Sequence, residues 1–399
     1  MPISQRPPGH FRVVVCPDSY KGSLEAEDVA AAMARGVHAT RPDARIRALP
    51  MADGGEGTAR LVSHTLGWAW HLSDVTSPTG THLSAGWGCD HRERRAVIDV
   101  ASACGLDRIP DDRQDPWQLH SFGVGELMLA ALDAGAEHLL IGLGGSGTVD
   151  GGAGMLAALG VRFLDAQGQR LPPHPAGLAD LQRVDFDTLD PRLARVDITV
   201  LNDVDNPLTG PHGAAAVFGP QKGLKTADIP AMDAHMERLA AAIEAAGQLQ
   251  RPVDTPGAGA AGGLGFALDC VLGGRARMGA GYLAELIGLD AALREADLVI
   301  TGEGQLDGQT SHGKVVAEVV RRAREHQVPV VAVAGSIACD PAELAAFGLS
   351  DARALCDGSI TLDEALAHPA RYIAERTRAL VEARQPPNSP SAPAPTPPH

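Results

Sequence analysis

Near both ends of the chain, apolar and polar residues follow two kinds of pattern, which alternate along the sequence. Short runs rich in valine and isoleucine are typical of buried strands, whereas longer alanine-rich stretches with charges on one side are typical of helices. The predicted strands cover residues 11–16, 45–49, 297–301 and 328–334. The predicted helices cover residues 24–39, with Ser23 as N-cap, a segment that ends at Leu66, and residues 313–325. Strands that alternate with helices predict a parallel sheet covered by helices.

The middle of the chain is less regular. Predicted strands at residues 82–87, 95–100 and 196–201 are mixed with predicted helices at residues 119–134 and 229–246. We therefore expect an α/β protein in which both chain ends form a Rossmann-like parallel-sheet domain and a second, mixed α/β domain is inserted. The expected boundaries are residues 10–76 and 282–384 for the first domain and 77–281 for the second. Residues 385–399 are mostly Pro, Ala and Ser, which predicts a disordered tail.

Charge and cysteine content exclude several classes of function. The 399 residues carry a formal net charge of −15, which opposes binding to nucleic-acid backbones and to anionic membranes. No apolar run approaches the 18 residues of a membrane span. The six cysteines form no C-x-x-C pair, which argues against a zinc site or a disulfide scaffold. We expect a cytoplasmic protein that is a monomer or a homodimer and that binds neither nucleic acid nor membranes.

Glycine is clustered, and most of the clusters lie beside hydroxyl, carboxylate or lysine side chains. Several of these segments directly follow a predicted strand, where backbone N–H groups and the next helix can bind an anion. One such loop is an ordinary turn, but seven in one chain favour a phosphate site. The segments are residues 18–23, 53–58, 142–152, 202–207, 219–223, 257–265 and 302–308, of which 202–207 contributes carboxylates without a glycine and 257–265 contributes glycines alone.

Lysine is rare, and its positions are informative. The four lysines are Lys21, Lys222, Lys225 and Lys314; all but Lys225 lie beside a glycine, and for Lys21 and Lys222 that glycine belongs to one of these segments. A compact ammonium group suits a phosphate oxygen in a narrow, glycine-lined site. We therefore expect anion contacts from Lys21, Lys222 and Lys314, and an ordinary solvated side chain at Lys225.

Paired carboxylates complete the pattern. Asp203 and Asp205 follow a predicted strand, and carboxylate oxygens beside a phosphate suit Mg²⁺. One of them could also accept the proton of an attacking hydroxyl. Further candidates are Asp150, Asp53, Glu303 and Asp307, although Asp53 and Asp307 could equally be turn or cap residues.

Two nucleotide-binding templates match in part. Gly142, Gly144 and Gly147, with Asp165 further on, have the spacing of a dinucleotide fingerprint, but the glycines that follow would weaken the helix it requires. Residues 308–314 have the spacing of a P-loop but lack the hydroxyl that follows its lysine. An NAD-dependent dehydrogenase of a small hydroxy acid and a non-catalytic phosphometabolite-binding protein therefore remain alternatives to a kinase.

Taken together and in order, the segments resemble the type I glycerate kinase family over residues 13–334. The strings that carry the resemblance are DSYKGS, MADGGEGT, GVGEL, GLGGSGTVDGGAGM, NDVDNPLTGPHGAAAVFGPQKG, PGAGAAGGLG and ITGEGQLDGQTSHGK. The resemblance implies a two-domain α/β enzyme that uses ATP and Mg²⁺ to phosphorylate D-glycerate, giving 2-phosphoglycerate or 3-phosphoglycerate. Three positions depart from the family pattern, because Gly147, Val149 and Gln305 stand where Ala, Asn and Arg are usual.

The expected site combines the residue chemistry with these motifs. The expected catalytic residues are Lys21, Asp203 and Asp150, and the expected metal ligands are Asp203 and Asp205. The expected substrate- and phosphate-binding residues are Asp18, Ser19, Ser23, Asp53, Gly54, Gly55, Glu56, Gly144, Gly145, Ser146, Thr148, Gly151, Gly152, Asn202, Lys222, Glu303, Gly304, Asp307 and Lys314.

Overall fold

A computed structural model describes residues 10–307 and 315–384 of the chain. The strands are β1 (Arg12–Val15), β2 (Arg45–Ala48), β3 (Ala69–Thr76), β4 (His82–Asp90), β5 (Arg95–Asp99), β6 (His138–Gly142), β7 (Arg162–Leu164), β8 (Arg183–Asp185), β9 (Asp197–Leu201), β10 (Arg275–Arg277), β11 (Leu298–Leu306), β12 (Val330–Ile337) and β13 (Asp351–Ala354). The helices are α1 (Ala26–Thr40), α2 (Thr58–Leu66), α3 (Val100–Cys104), α4 (Phe122–Asp133), α5 (Ala153–Ala158), α6 (Ala214–Phe218), α7 (Ile229–Ala245), α8 (Ala260–Gly265), α9 (Gly279–Leu286), α10 (Leu289–Leu293), α11 (Val315–Glu325), α12 (Pro341–Phe347), α13 (Leu362–Ala367) and α14 (Pro369–Glu382). Within the described ranges, no helix combines the length and the apolar character that a membrane crossing requires.

The described chain divides into two compact units. Unit 1 contains residues 10–50, 290–307 and 316–384, and unit 2 contains residues 51–289 with residue 315. In unit 1, described strands from both chain ends form one parallel sheet in the order β13-β12-β11-β1-β2. This is a doubly wound order whose direction of winding reverses between β1 and β11. The expected α/β class, with a parallel sheet built from both ends of the chain, is confirmed.

The core of unit 1 follows from the periodicity of its first helix. Val29, Met33 and Val37 recur every four residues along α1 and are buried in a core that includes residues of β1 and α14. A Cβ placed on Gly36 would lie 2.4 Å from the carbonyl oxygen of Ala374, because α1 and α14 pack backbone to backbone there. The predicted N-cap was wrong, because α1 begins at Ala26 and Ser23 belongs to the preceding turn.

Unit 2 contains a mixed sheet. Its described strands follow the order β10-β9-β6-β5-β4-β3, in which β5, β6, β9 and β10 are parallel. At one edge, β4 pairs antiparallel with β5, and β3 pairs antiparallel with β4. Because β5, β6 and β9 point the same way, the segments that follow these three strands leave the sheet at the same edge.

Two elements lie elsewhere than expected. We expected residues up to 76 in the first domain, but α2 and β3 both lie in unit 2. The reason is pairing: β3 forms an antiparallel hairpin with β4, from Ala69 opposite Cys89 to Thr76 opposite His82. Residues 282–289, also expected in the first domain, lie in unit 2 as well. The predicted tail at residues 385–399 lies outside the described residues.

Candidate functional site

The carboxyl edge of the parallel strands in unit 2 collects several of the predicted segments. Loop 142–152 begins at the end of β6, and Asn202 and Asp203 follow β9 directly. The turn at residues 53–57 reaches the same edge, because Gly144 N–H donates to the Gly54 carbonyl at 3.4 Å. Parallel α/β sheets bind their ligands outside this edge. The glycine loops therefore lie where a ligand site is expected.

Backbone contacts explain two of the glycines at this edge. A Cβ on Gly144 would lie 2.5 Å from the Cα of Gly55, and a Cβ on Gly279 would lie 1.8 Å from the carbonyl oxygen of Asp53. No side chain fits at either position, so these glycines bring three separate segments of unit 2 into direct backbone contact. In this part of the molecule, glycine therefore serves packing.

Asp203 is held at this edge while one side remains exposed. Its Oδ1 accepts a hydrogen bond from Gly279 N–H at 2.6 Å. Desolvation, with a smaller contribution from the nearby Asp53 carboxylate, raises the pKa of Asp203 to about 6. Asp205 is exposed two residues further on. Asp203 is thus a positioned carboxylate that is mostly ionised near neutral pH.

The neighbouring polar residues hold the loops together. The Asp53 Oδ1 accepts from Gly55 N–H at 3.0 Å, which is the turn role that the sequence left open. Asn202 Oδ1 accepts from Val204 N–H, and its Nδ2 donates to the Gly257 carbonyl. Glu56 is exposed at the same turn. Of these predicted residues, Glu56 has the most solvent-exposed side chain.

Asp150 is fully buried and its carboxylate is fully used by the protein. Its Oδ2 accepts hydrogen bonds from Ser121 N–H, from Ser121 Oγ–H and from Gly154 N–H at 2.8–3.0 Å. Its Oδ1 accepts from Gly152 N–H at 3.2 Å. The carboxylate thus fixes loop 142–152 to the start of α4. This placement does not support the expected catalytic role of Asp150.

Lys222 is also buried, with 3% of its surface exposed. Its Nζ donates to Ser146 Oγ at 2.7 Å and to the Thr148 carbonyl at 2.9 Å. Burial lowers the pKa of Lys222 to about 8. We expected an anion contact from this lysine, but the structure gives it the role of holding the loop that carries Ser146 and Thr148.

Several of the predicted binding residues in the same loop share this burial. Ser146, Thr148, Gly151 and Gly152 are all buried. A Cβ on Gly151 would lie 2.6 Å from Leu239 Cδ2, which shows that the chain packs directly against α7. Gly144 and Gly145 are the partly exposed and exposed members of the loop. The part of the loop open to a ligand is therefore its beginning.

Unit 1 has a second group of predicted residues at the point where its sheet reverses. The Asp18 N–H donates to the Gly302 carbonyl at 2.8 Å, so the segment after β1 runs beside β11. Asp18 Oδ1 accepts from Ser19 N–H at 2.6 Å. Glu303 is 6% exposed, whereas Lys21 is exposed. The reversal point of a doubly wound sheet is the usual ligand position, so this group forms a candidate site of its own.

The turn that carries Lys21 is anchored from below. Tyr20 is buried, and its hydroxyl donates to the Val333 carbonyl at 2.7 Å. Ser23 N–H donates to the Tyr20 carbonyl and closes the turn. Gly304 and Asp307 lie further along, at the end of β11 and just after it. Lys314, the remaining predicted binding residue, lies outside the described residues.

A sequence model of the glycerate kinase family matches residues 13–385, nearly the whole chain. The chain belongs to the glycerate kinase family. A glycerate kinase from Bacillus subtilis (strain 168) is 44% identical over 368 residues, which are 92% of this chain and 96% of that protein. A glycerate 2-kinase from Escherichia coli (strain K12) is 41% identical over 356 residues, 89% of this chain and 93% of that protein.

A solved structure shares both fold and sequence. It is a crystal structure from Salmonella typhimurium LT2, described as that of a proposed glycerate kinase 2, with a TM-score of 0.83 and 41% identity. The matched region covers 94% of this chain and 98% of the chain in that crystal structure. The resemblance stated from the motifs is therefore confirmed, and with it the expectation that the chain is an enzyme of the kinase class.

Residues 138–165 of this glycerate kinase family member do not form the dinucleotide fingerprint that the glycine spacing suggested. After β6 the chain remains irregular through Gly152, and α5 begins only at Ala153. Asp165 lies in a tight turn, where its Oδ1 accepts from the N–H groups of Gln167 and Gln169. Neither the helix nor the acidic residue is in the position that a dinucleotide requires, so the structure gives the dehydrogenase alternative no support.

The departures from the glycerate kinase pattern have different structural settings. Val149 is completely buried in the core of unit 2, where an apolar side chain suits its surroundings. A Cβ on Gly147 would lie 2.5 Å from Ile109 Cδ1, so glycine here accommodates the isoleucine. Gln305 is exposed near the end of β11. Of the three, only Gln305 can alter what solvent or a ligand meets.

Asp99 is a residue that the sequence analysis missed. It is the last residue of β5, 5% exposed, and both of its oxygens lie 3.0 Å from the donating N–H of Ala59 in α2. Burial raises the pKa of Asp99 to about 7. A carboxylate directly after an apolar strand, in the string AVID, was the available signal.

We expect Asp99 to make the stability of the protein pH-dependent. Its pKa is about 7 when folded and about 4 when unfolded, so the stabilisation is complete below pH 4 and is lost as pH rises through 7. Between pH 5 and pH 8 the loss amounts to about 2–3 kcal/mol. Urea unfolding across this range should show the decline in the parent protein and a flatter profile in Asp99→Asn. Asp112→Asn, an exposed control, should follow the parent, and an identical slope in Asp99→Asn would contradict the assignment.

Proposed function

We propose that the chain transfers the terminal phosphoryl group of ATP to a hydroxyl of D-glycerate and yields 2-phosphoglycerate. The observation that carries the proposal is family membership over nearly the whole chain. It is supported by the position of Asp203 beside glycine loops at a ligand-binding edge. The relative from Escherichia coli described as a glycerate 2-kinase favours the 2-phosphate as the product.

The donor set of unit 2 fits Mg²⁺. Asp203 and Asp205 are exposed carboxylates on one short loop, and Mg²⁺ in phosphoryl-transfer sites is usually held by one or two carboxylates, with phosphate and water supplying the rest. Asp205 would hold the ion. When bound, Mg²⁺ neutralises charge on the phosphate oxygens.

Asp203 is the best candidate for the proton acceptor. A general base works best when its pKa is not far below the working pH, and the raised pKa of Asp203, about 6, meets that condition. The substrate hydroxyl oxygen forms the new bond to phosphorus, the bond from phosphorus to ADP breaks, and the hydroxyl proton passes to an Asp203 oxygen. The hydrogen bond from Gly279 leaves the other oxygen free to accept it.

Lys21 would supply positive charge to an anionic group of a substrate. It is exposed on a turn whose base is fixed by Tyr20, so its ammonium group can reach a ligand without disturbing the fold. Lys222 and Asp150 act in a different way, because they hold the glycine loop of unit 2 from inside. They are positioning residues in this proposal.

One coupled assay tests the reaction and the product together. The purified protein is incubated with D-glycerate, ATP and Mg²⁺, and phosphoenolpyruvate formation is followed with enolase alone and with enolase plus phosphoglycerate mutase. We expect full activity with enolase alone. A requirement for the mutase would identify 3-phosphoglycerate instead, and no product in either assay would refute the kinase reaction.

The same assay separates the two classes of lysine. Lys21→Ala should lower kcat/KM at least tenfold, because an anion contact is lost. Lys225→Ala is the matched control, since Lys225 is an exposed lysine to which we assign no ligand. Equal activities for the two variants would remove Lys21 from the site.

A further inference from the structure

Three side chains of types that can bind a metal ion lie close together at the edge of the mixed sheet of unit 2, away from the glycine loops. They are His71 on β3, Cys89 on β4 and His91 in the turn after β4, and their ligand atoms all lie within 4.8 Å of one another. The Cys89 Sγ and the His91 Nδ1 are 3.6 Å apart. Cys89 is 2% exposed, His71 is partly buried and His91 is exposed.

The antiparallel register places His71 and Cys89 on one face of the hairpin. His71 lies opposite Trp87, and Trp87 and Cys89 are two residues apart on the same strand, so their side chains share a face. The imidazole of His71 stacks on the Trp87 ring, with centroids 4.7 Å apart and planes inclined by 23°. The Trp87 indole N–H is itself held by Ser73 Oγ at 3.0 Å. His71 is therefore held in position by the strand pairing and by an anchored ring.

A second, independent observation concerns the hydrogen bonding of His71. Its Nε2 is buried and has no hydrogen-bond partner within residues 10–307 and 315–384. A buried ring nitrogen without a partner costs about 1–3 kcal/mol, so such atoms are rare unless something else satisfies them. A metal ion bound to Nε2 would fix the tautomer and remove this cost.

The spacing of the sulfur and nitrogen atoms also fits a tetrahedral ion. Zinc bonds of about 2.3 Å to sulfur and about 2.0–2.1 Å to nitrogen, at tetrahedral angles, place the two ligand atoms about 3.6 Å apart. The distance between Cys89 Sγ and His91 Nδ1 equals this value. Two imidazoles and one thiolate are ligands that zinc prefers, whereas Mg²⁺ takes oxygen ligands.

We propose that His71, Cys89 and His91 form a zinc-binding site at the outer edge of the mixed sheet of unit 2. Water occupies the fourth position, because His91 leaves the cluster open to solvent. Binding releases the Cys89 thiol proton to solvent and forms a sulfur–zinc bond. The bound ion ties β3 to β4 and to the turn that leads into β5, and so fastens the outermost strand of the described sheet.

This site is separate from the candidate kinase site of unit 2. Cys89 pairs with Ala96, and Asp90 pairs with Arg95, the first residue of β5. The glycine loops leave the sheet at the opposite ends of β5, β6 and β9. Phosphoryl transfer therefore does not account for the cluster, and loss of the zinc site and loss of the kinase reaction are distinguishable.

Cobalt provides a direct readout of the proposed ligands. The full-length protein is treated with a chelator, dialysed and titrated with Co²⁺, and Zn²⁺ is then added as a competitor. We expect one equivalent of Co²⁺ to give a thiolate-to-cobalt charge-transfer band in the near ultraviolet and visible bands of tetrahedral intensity. One equivalent of Zn²⁺ should remove both signals.

Variants assign the signal to the three residues. His91→Ala removes an exposed side chain, so it should fold normally and bind Co²⁺ at least tenfold more weakly. Cys89→Ser should abolish the charge-transfer band. His82→Ala, an exposed histidine on the same strand, and Cys356→Ser, a cysteine of unit 1, are the matched controls and should leave both signals unchanged. The absence of a charge-transfer band in the folded parent protein, or an equal loss in His82→Ala, would overturn the proposal.

Discussion

Asp203→Asn is expected to lower kcat for D-glycerate by about 100- to 10,000-fold, the range that a general base usually contributes. Asparagine has the same shape, and its Oδ1 can still accept the hydrogen bond from Gly279 N–H. The variant should therefore fold like the parent protein. What it loses is the negative charge, so it can no longer take the proton of the substrate hydroxyl. Steady-state kinetics at pH 7.5 with saturating ATP and Mg²⁺ measure the effect.

Asp205→Asn is the matched comparison, because it removes a second exposed carboxylate two residues away. If Asp205 holds Mg²⁺, a higher Mg²⁺ concentration should restore much of the activity of that variant and little of the activity of Asp203→Asn.

The dependence of kcat/KM on pH in the parent protein, measured on the acid side, supplies another readout. Protonation of Asp203 below its pKa of about 6 should reduce kcat/KM about tenfold per pH unit. Near-parent activity in Asp203→Asn would remove it from the reaction.

The sequence predicted the elements whose hydrophobic pattern is simple. Strand β1 and helix α1 are apolar on the side that packs, and both were predicted to within about two residues. Strand β3 was missed because Val75 is its one residue classed as buried, so alternation along the strand gives almost no signal. Its pairing with β4 is a tertiary event, and that pairing also places α2 in unit 2.

The sequence predicted the residue types of the candidate site better than it predicted the role of each residue. The glycine segments pointed to the correct family and to the carboxyl edge of the strands, since strand ends can be read from the pattern. Burial of a charge cannot be read in the same way. Lys222 is buried because Ser146 and Thr148, which are distant in sequence, accept hydrogen bonds from its ammonium group inside the fold. Asp99 was missed for the same reason, because its partner Ala59 is 40 residues away.

Asp150→Ala is expected to destabilise the protein by about 3–5 kcal/mol, the usual cost of breaking a buried charged network. The carboxylate is completely buried and accepts four hydrogen bonds, from Ser121 N–H, Ser121 Oγ–H, Gly152 N–H and Gly154 N–H. Alanine would leave these buried donors without their acceptor. Urea unfolding, with kcat measured on the fraction that remains folded, gives both quantities.

The split between stability and catalysis decides the role of Asp150. If Asp150 is a positioning residue, Asp150→Asn should be less destabilised than Asp150→Ala, because its amide oxygen can still accept some of the hydrogen bonds. Asp111→Ala, an exposed aspartate in the same unit, should change neither quantity. If Asp150→Asn instead kept the stability of the parent protein and lost kcat by orders of magnitude, the carboxylate would act on the substrate, and its burial would have to open during turnover.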